Sequence, residues 1–342
     1  MPSPHSSTLH CVLPGLCWPG QGFAAELAQH PLPALAWLFA RAQLQRSPAQ
    51  RWLPWLSDRL GASSPLPWGS LRRAGEADAV VEDGWLCADP VSLQMSRDAL
   101  LLHGPDALAL SEAESAALIA SLNTECAHAG EFLAASPGRW YLRADTEDVS
   151  FSPLPDVIGR PAQLFPCQGA QARQWNRLAN EIQILLHNHP VNQARIARGQ
   201  LPANGVWFWG EGRLPPVGSL QLPTALASQD LILRGLARAG KIPCADSPAA
   251  LQASGWWVDS RLQAAASSGD FPRWHAALRD IDQQLQTLLA AWQRGKIRQL
   301  EIHAPGDRHS LHLRLARPAR WAFWRKPLSS AALATWLQSP TS

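Results

Sequence analysis

Apolar positions recur at spacings of three and four residues in several parts of the chain, which predicts amphipathic helices. In 171–188 the apolar stripe contains Trp175, Leu178, Ile182 and Leu185. A serine followed three residues later by a glutamate opens another such stretch as a capping box. The helices predicted in this way cover 32–45, 111–129, 171–188, 228–239 and 270–294.

Short apolar runs between turn residues predict strands, at 10–16, 139–143, 206–209, 256–258, 300–303 and 312–315. Because strands alternate with helices, we expect an α/β fold with a mostly parallel sheet and helices on both faces. The block 80–143 breaks this alternation and predicts a smaller inserted α+β domain. We therefore assign 1–80 and 165–342 to the core and 81–164 to the insertion.

Composition and charge exclude some classes of function for this chain. Apolar residues make up 46% of the 342 residues, and the formal net charge is only +3. Such a charge is too small to indicate nucleic acid or an acidic membrane surface as a partner. No apolar run reaches the length of about 18 residues that a membrane span needs. The six cysteines are scattered without a C-x-x-C pair, which favours reduced thiols and a cytoplasmic protein.

Polar residues and glycines are most concentrated in 180–215, around the predicted strand 206–209. Ligands of parallel sheets bind beyond the carboxyl ends of the strands, where glycine amides and an arginine fork suit an anion. A tight turn that needs flexible glycines is the equally weighted alternative. The predicted ligand-binding residues are His189, Asn192, Arg195, Asn204, Gly210, Gly212 and Arg213.

Histidines near the end of the chain raise the question of a metal site. His303, His309 and His312 lie close together, with Asp307 between them, in a pattern that one transition metal can use. Alternation along strands places some of these side chains on opposite faces of the sheet, so a metal site shared by the three histidines is not favoured. The sequence contains no P-loop and no dinucleotide-binding fingerprint.

The residues of 185–215 resemble a segment of the archaeal-type cofactor-independent phosphoglycerate mutases. That segment contains His-Pro-x-Asn, an arginine, Pro-Ala-Asn and an aromatic-aliphatic strand ending in Gly-x-Gly; here it begins at His189 and ends at Gly212. The resemblance is closer still to bacterial RpfE-type regulatory proteins, which are distant relatives of the mutases. It implies an alkaline-phosphatase-like core with an inserted domain.

The same resemblance implies a chemistry that this chain largely lacks. The mutases need two divalent metals and a serine or threonine nucleophile, for which no clear counterpart occurs here. The metal-binding Asp-Gly after their first strand corresponds to Pro14 and Gly15, and their Asp-x-x-x-His loop corresponds to 264–268, which reads Ala-Ala-Ala-Ser-Ser. Their Asp-His pair falls near Asp307 and His309 and is at most partly retained, so the resemblance leaves these two residues only as weak metal candidates.

These losses favour a non-catalytic, phosphoglycerate-mutase-like protein with a degenerate metal site, no catalytic residue and no cofactor. Its expected role is regulatory, through a phosphorylated small molecule or a protein partner. The alternative is an active phosphoryl-transfer enzyme of the mutase or phosphatase type with altered metal ligation. For that enzyme, carboxylates such as Asp246, Asp259 and Asp270 need to converge at the strand ends.

Overall fold

The computed structural model describes residues 8–20, 24–77, 81–96, 99–216, 218–251, 254–316, 319 and 324–338. Helices α1–α12 are Ala24–Gln29, Pro33–Arg41, Trp52–Arg59, Trp68–Gly75, Pro105–Leu108, Glu112–Glu125, Ala172–Asn188, Pro190–Ala197, Leu231–Gly240, Arg261–Ser268, Phe271–Gln293 and Ser330–Leu337. Strands β1–β12 are Thr8–Val12, Gln43–Gln50, Trp85–Ser96, Ala99–His103, Glu131–Ser136, Arg139–Arg143, Gly205–Trp209, Leu226–Ala227, Cys244–Ala245, Gly255–Val258, Gln299–Ala304 and Gly306–Leu315.

The chain divides into two compact units. Unit 1 comprises Met1–Gly61, Gln221–Asp230 and Gly240–Ser342, and unit 2 comprises Ala62–Leu220 and Leu231–Ala239. Among the described residues, seven strands of unit 1 form one sheet in the order β2-β12-β11-β1-β10-β8-β9. The five strands from β9 to β11 in that order are parallel, whereas β12 runs antiparallel to both of its neighbours, β11 and β2. The predicted α/β class with a mostly parallel sheet is confirmed.

An apolar core covers one face of this sheet. Leu9 and Cys11 of β1 are fully buried there together with Leu278, Ile281 and Leu285 of α11. Those three α11 residues follow the spacing of three and four from which the long helix was predicted. Helices α2 and α10 pack beside α11. The opposite face of the sheet carries the side chains that alternate with the buried ones, including His10 and Glu301.

Unit 2 has its own sheet and its own core. Strand β3 pairs with β4, β6 and β7, and β5 pairs with β6. Trp175 and Ile182 of α7 and Leu118 of α6 are buried against this sheet. Helix α6 begins at the predicted capping box, because the Ser111 side chain accepts the amide of Glu114 and the Glu114 carboxylate accepts the amide of Ser111.

The predicted division of the chain differs from these units. Strand β7, which we assigned to the core, pairs antiparallel with β3, with Cys87 opposite Trp209 and Val91 opposite Gly205. Helix α7 packs on the same sheet, so 172–209 belong to unit 2. The helix predicted over 32–45 was also too long. It ends at Arg41, and Gln43–Gln50 forms a mostly exposed edge strand instead.

Candidate functional site

The predicted ligand-binding residues lie in unit 2, where most of them hold backbone segments together. The ring of His189 caps α8, with Nδ1 accepting the amide two residues later and Nε2 lying 3.0 Å from the Ser121 hydroxyl. The side chain of Asn192 is fully buried. It donates to the carbonyls of Leu186 and Ala203 at 2.7 and 2.9 Å and accepts the Ala203 amide at 2.9 Å.

Arg195 is the centre of this buried polar network. Only 1% of its surface is exposed. Its guanidinium donates to the carbonyls of Leu201 and Leu108 and lies 2.8 Å from a carboxylate oxygen of Glu114. These contacts join the loop after α8 to the end of α5, at Leu108, and to the first turn of α6, at Glu114. All three nitrogens of the guanidinium are therefore engaged within the unit.

The remaining predicted residues continue this pattern. Asn204 accepts the amide of Leu93 at 2.7 Å and donates to its carbonyl at 3.0 Å. Gly210 has a φ of +84°, and a Cβ atom there lies 2.5 Å from the Gly69 amide, so the position requires glycine. Gly212 also has a positive φ, of +125°.

Arg213 is the exposed member of the predicted set, and its Nη2 lies 2.6 Å from Glu147 in a surface ion pair. Asn204 lines a cavity of about 610 Å³ together with Asn180, Ile184 and His187. The structure thus accounts for the density of polar residues in 180–215 by packing within unit 2. The ligand-binding assignment of these residues stays a prediction.

A different group of side chains converges in unit 1. His10 of β1 and Glu301 of β11 are direct partners in the sheet register, and His303 is two residues further along β11. His10 Nδ1 lies 3.0 Å from His303 Nε2. Glu301 Oε2 lies 3.6 Å from the former atom and 3.4 Å from the latter. Within the described part of the chain, these three residues form a group whose ligand atoms are close enough to hold a metal ion.

Aromatic and basic side chains surround this group. His312 of β12 stacks on His303 with ring centroids 4.6 Å apart, and its Nε2 lies 3.1 Å from Glu301 Oε2. On the other side, α3 places Trp55 with its ring centroid 5.4 Å from that of His303. The exposed Arg59 of α3 brings Nη2 to 3.2 Å from His303 Nε2.

The carboxylate of Glu301 is held in one orientation. Gln299 donates to Oε1, and the Arg314 Nε lies 3.8 Å from the same oxygen. The second oxygen, Oε2, therefore faces the imidazoles. Hydrogen bonds from His303 and His312 hold the pKa of Glu301 well below its ordinary value, so this carboxylate is ionised at neutral pH.

Burial disfavours the protonated form of both histidines. It lowers the pKa of His303 from 6.5 to about 4, and it also lowers the pKa of His10. Because the charged imidazolium loses hydration inside the protein, both rings are neutral near pH 7. The group therefore combines two neutral imidazoles with one ionised carboxylate.

The two weak metal candidates from the sequence are not part of this group. Asp307 is about half exposed and lies 3.9 Å from Arg51. His309 is buried, with Nε2 3.4 Å from the Sγ of Cys17. Successive residues of β12 alternate between the two faces, which separates His309 from His312 as the sequence indicated. Of the histidines near the end of the chain, His303 and His312 come together.

A second polar feature lies at the carboxyl ends of β8, β9 and β10. A cavity of about 640 Å³ is lined there by Asp230, Asp246, Asp259, Asp280 and Arg261, among others. The Arg261 guanidinium is paired with Asp259 at 2.8 Å and with Asp280 at 3.1 Å. Of the three carboxylates named from the sequence, Asp246 and Asp259 line this cavity. The third, Asp270, accepts the amide of Arg273 and caps α11.

Part of the chain is distantly similar in sequence to phosphoglycerate mutases. No family model matches the chain. It is 32% identical over 88 residues to a probable 2,3-bisphosphoglycerate-independent phosphoglycerate mutase of Geobacter sulfurreducens, which is 25% of this chain and 22% of the relative. It is also 32% identical over 115 residues to the corresponding mutase of Methanosarcina barkeri, 31% of this chain and 28% of that protein. The matched regions thus span about a quarter of these relatives' length.

Solved structures extend the likeness to the fold of nearly the whole chain. A Pyrococcus horikoshii protein matches with a TM-score of 0.53 and 13% identity, covering 97% of this chain and 93% of its own. A cofactor-independent phosphoglycerate mutase from Thermoplasma acidophilum covers 96% of this chain at a TM-score of 0.44 and 15% identity. The fold of the chain is thus the one shared with the Pyrococcus horikoshii protein, a mixed α/β fold with a mostly parallel sheet, as the sequence predicted.

Sequence reasoning missed His10 and Glu301. Both are polar residues inside otherwise apolar strands, and that signal was available in the sequence. The sequence did not show that β1 lies beside β11. The register of these two strands places His10 next to Glu301. Trp256 of β10, whose ring centroid lies 6.4 Å from that of His10, extends the same face of the sheet.

Proposed function

We propose that this chain is a non-catalytic, phosphoglycerate-mutase-like protein of the RpfE type, which works in the cytoplasm as a regulatory binding protein. The distant similarity to mutases and the shared fold support the first part of this proposal. The absence of catalysis is supported by the loops at the strand ends, where the residues that correspond to the mutases' metal ligands are not ligands. No helix among the described residues is long and apolar enough to cross a membrane.

The observation that carries the proposal is the closed packing of the loop after β1. Gly15 stands in the position of the residue that follows the mutases' metal-binding aspartate. Its amide donates to the carbonyl of Pro305 at 3.3 Å, and its carbonyl accepts the indole N–H of Trp274 at 2.8 Å. A Cβ atom at Gly15 lies only 2.6 Å from the backbone of Gln263. With Pro14 before it, this loop offers neither a carboxylate nor space for a metal ion.

The second lost ligand loop is also built for packing. Residues 264–268, which correspond to the mutases' Asp-x-x-x-His loop, form the end of α10. Ala265 is fully buried, and Ala266 packs against the core of unit 1. Small apolar side chains at these positions let α10 approach α11 closely. They supply no donor atom to a cation.

The charge of the strand-end cavity favours a protein partner over a phosphorylated small molecule. Phosphate groups bind to arginine forks, lysines and free backbone amides. Here four aspartates surround a single arginine, Arg261, which is already paired with Asp259 and Asp280. A phosphorylated ligand in this cavity meets repulsion. We therefore propose that the regulatory role works through a protein partner, without nucleic acid.

The proposal is tested by an activity assay of the purified full chain with 3-phosphoglycerate and with a generic phosphomonoester, each with Mn²⁺ or Mg²⁺. We expect no turnover above the protein-free control. Thermal unfolding with 3-phosphoglycerate provides the second measurement. A ligand at about 100 times its Kd adds about 2.7 kcal/mol to the free energy of unfolding, and we expect no such gain.

One observation favours the alternative, an active phosphoryl-transfer enzyme. Asp246 and Asp259 do line one cavity at the strand ends, as such an enzyme requires. If turnover is found, Asp259→Asn and Asp246→Asn should abolish it, whereas Asp270→Asn should leave it intact. That pattern would replace the binding protein by an enzyme with altered metal ligation. Turnover that survives all three substitutions would point to a contaminating mutase.

A further inference from the structure

We propose that His10, Glu301 and His303 form a binding site for a divalent transition-metal ion of the zinc class. The three ligand atoms are His10 Nδ1, Glu301 Oε2 and His303 Nε2. They belong to adjacent parallel strands, so the sheet register fixes their relative positions. The proposal is independent of the regulatory role, because these side chains lie on the sheet face and not in the loops that correspond to the mutases' ligands.

The distances between the ligand atoms match the geometry of such an ion. Nitrogen and oxygen ligands lie about 2.0–2.2 Å from zinc, so two ligands of a tetrahedral site are about 3.3–3.6 Å apart. The three observed distances are 3.0, 3.4 and 3.6 Å. The two longer distances fall in this range, and the two imidazole nitrogens have to move apart by about 0.3 Å to bind one ion.

Crowding around a single nitrogen supports the same conclusion. His303 Nε2 has three polar neighbours within 3.4 Å, namely His10 Nδ1, Arg59 Nη2 and Glu301 Oε2. A ring nitrogen carries either one N–H or one lone pair, so it satisfies one of these neighbours at a time. An ion at the centre satisfies both imidazoles and the carboxylate together.

The supporting contacts are those that metal ligands require. Gln299 donates to the outer oxygen of Glu301, and Arg314 lies near the same atom, so the inner oxygen stays directed at the histidines. Groups that orient a ligand in this way matter for metal affinity almost as much as the ligands do. Neutral imidazoles and an ionised carboxylate are also the states in which these side chains bind metal.

The positive charge of Arg59 lies next to a ligand atom and opposes a cation there. Its Nη2 lies 3.2 Å from His303 Nε2. The side chain is exposed and projects from the last turn of α3, with its guanidinium 5.5 Å from the Trp55 ring centroid. We expect it to turn toward solvent when an ion binds. The positive charge should weaken metal binding, and its removal should strengthen it.

The test is a titration of the purified full chain with Co²⁺, read by the visible absorption of the four-coordinate ion, followed by displacement with Zn²⁺. We expect one equivalent of Co²⁺ to produce the band and one equivalent of Zn²⁺ to remove it. Loss of a group that only orients a ligand costs about 10–100-fold in affinity. His10→Ala, His303→Ala or Glu301→Gln should therefore each cost at least about 100-fold.

The matched control is His128→Ala, which removes another histidine beside a glutamate, since His128 lies 3.4 Å from Glu181 on the surface of unit 2. It should leave the affinity unchanged. Arg59→Ala keeps the ligands and should bind Co²⁺ several-fold more tightly, which tests the site without altering the core. Absence of the band in the wild-type chain would overturn the proposal. So would a band that persists in both His10→Ala and His303→Ala, or an Arg59→Ala affinity equal to that of wild type.

Discussion

The guanidinium of Arg72 and the carboxylate of Asp89 form a buried, two-pronged ion pair in unit 2. The two terminal nitrogens of Arg72 donate to the two carboxylate oxygens at 2.7 and 2.8 Å. Arg72 also donates to the carbonyl of Trp140 at 3.0 Å, and the indole of Trp209 donates to Asp89 at 2.8 Å. One pair of charges thereby ties α4 to β3, β6 and β7.

Removal of one partner should therefore destabilise the protein strongly. Asp89→Asn leaves the Arg72 charge buried without its counter-charge, and we expect a loss of about 3–5 kcal/mol in the free energy of unfolding. The double variant Arg72→Met/Asp89→Leu should recover much of this loss, because it removes both buried charges. Urea unfolding of the three proteins measures the difference.

The control for this prediction is the exposed pair formed by Arg143 and Glu82, which are 3.9 Å apart. Exposed ion pairs contribute about 0–1 kcal/mol, so Arg143→Ala should unfold at nearly the wild-type urea concentration. Equal effects of Asp89→Asn and Arg143→Ala would show that the buried pair does not stabilise unit 2.

Arg195 and Arg213 should differ sharply when each is replaced. Arg195→Met leaves two backbone carbonyls without their side-chain donor and removes the partly buried ion pair with Glu114, and we expect a loss of about 3 kcal/mol or more. Arg213→Ala removes only a surface ion pair and should change stability by less than about 0.5 kcal/mol. Thermal unfolding of both variants is the measurement. Comparable losses would contradict the structural role of Arg195.

Asp282 of α11 caps the start of α2 by accepting the amides of Ala34 and Leu35 at 3.2 and 2.8 Å. Asp282→Ala leaves these buried amides unpaired, which should cost about 1–3 kcal/mol in the free energy of unfolding. Urea unfolding at neutral pH checks this value. Ser268→Ala, at an exposed position in α10, serves as a control expected to lie near wild type.

The same carboxylate gives a pH dependence. Burial raises the pKa of Asp282 above its ordinary 3.8. The folded state therefore holds this proton more tightly than the unfolded state, so the wild type loses stability as pH rises from 3.8 through the folded pKa. Asp282→Asn cannot ionise, and the wild-type stability relative to this variant should fall over that interval. A difference that rises with pH would contradict the assignment of the raised pKa to Asp282.

Gly15 and Gly269 both have a left-handed backbone, with φ of +77° and +70°, but only Gly15 is closely packed. Gly269→Ala should cost about 1–2 kcal/mol from backbone strain alone. Gly15→Ala adds a clash with the backbone of Gln263 and should cost clearly more. Melting temperatures of the two variants decide whether the loop after β1 is closed as described. Equal costs would mean that this loop has room for a side chain.

Periodicity predicted elements well where one face of a helix is buried. Helix α11 follows the predicted 270–294 almost to the residue, because its stripe packs directly on the sheet. The strand Gln43–Gln50 was missed since it is polar along both faces and lies at the sheet edge, where no alternation develops. The sequence also did not predict which sheet contains β7, because an apolar strand can pack in the core of either unit.

The candidate metal group shows the same limit more plainly. His10 and His303 are 293 residues apart, and only the order of strands in the sheet brings them within 3.0 Å. The cluster of polar residues in 180–215 was predicted as a site because sequence density was the available signal. In the structure, these polar side chains bind buried backbone carbonyls and amides, as Asn192 and Arg195 do.

The edge strand Gln43–Gln50 has a consequence for self-association. It borders the seven-stranded sheet beside β12, and its side chains are largely exposed and polar, with Arg46 and Pro48 among them. Proline has no N–H group, so the row of donors that an incoming strand needs is interrupted at Pro48. Arg46 adds a charge that a second copy of the same edge would repel. Growth of the sheet from chain to chain, the first step toward insoluble fibres, is therefore blocked along this border.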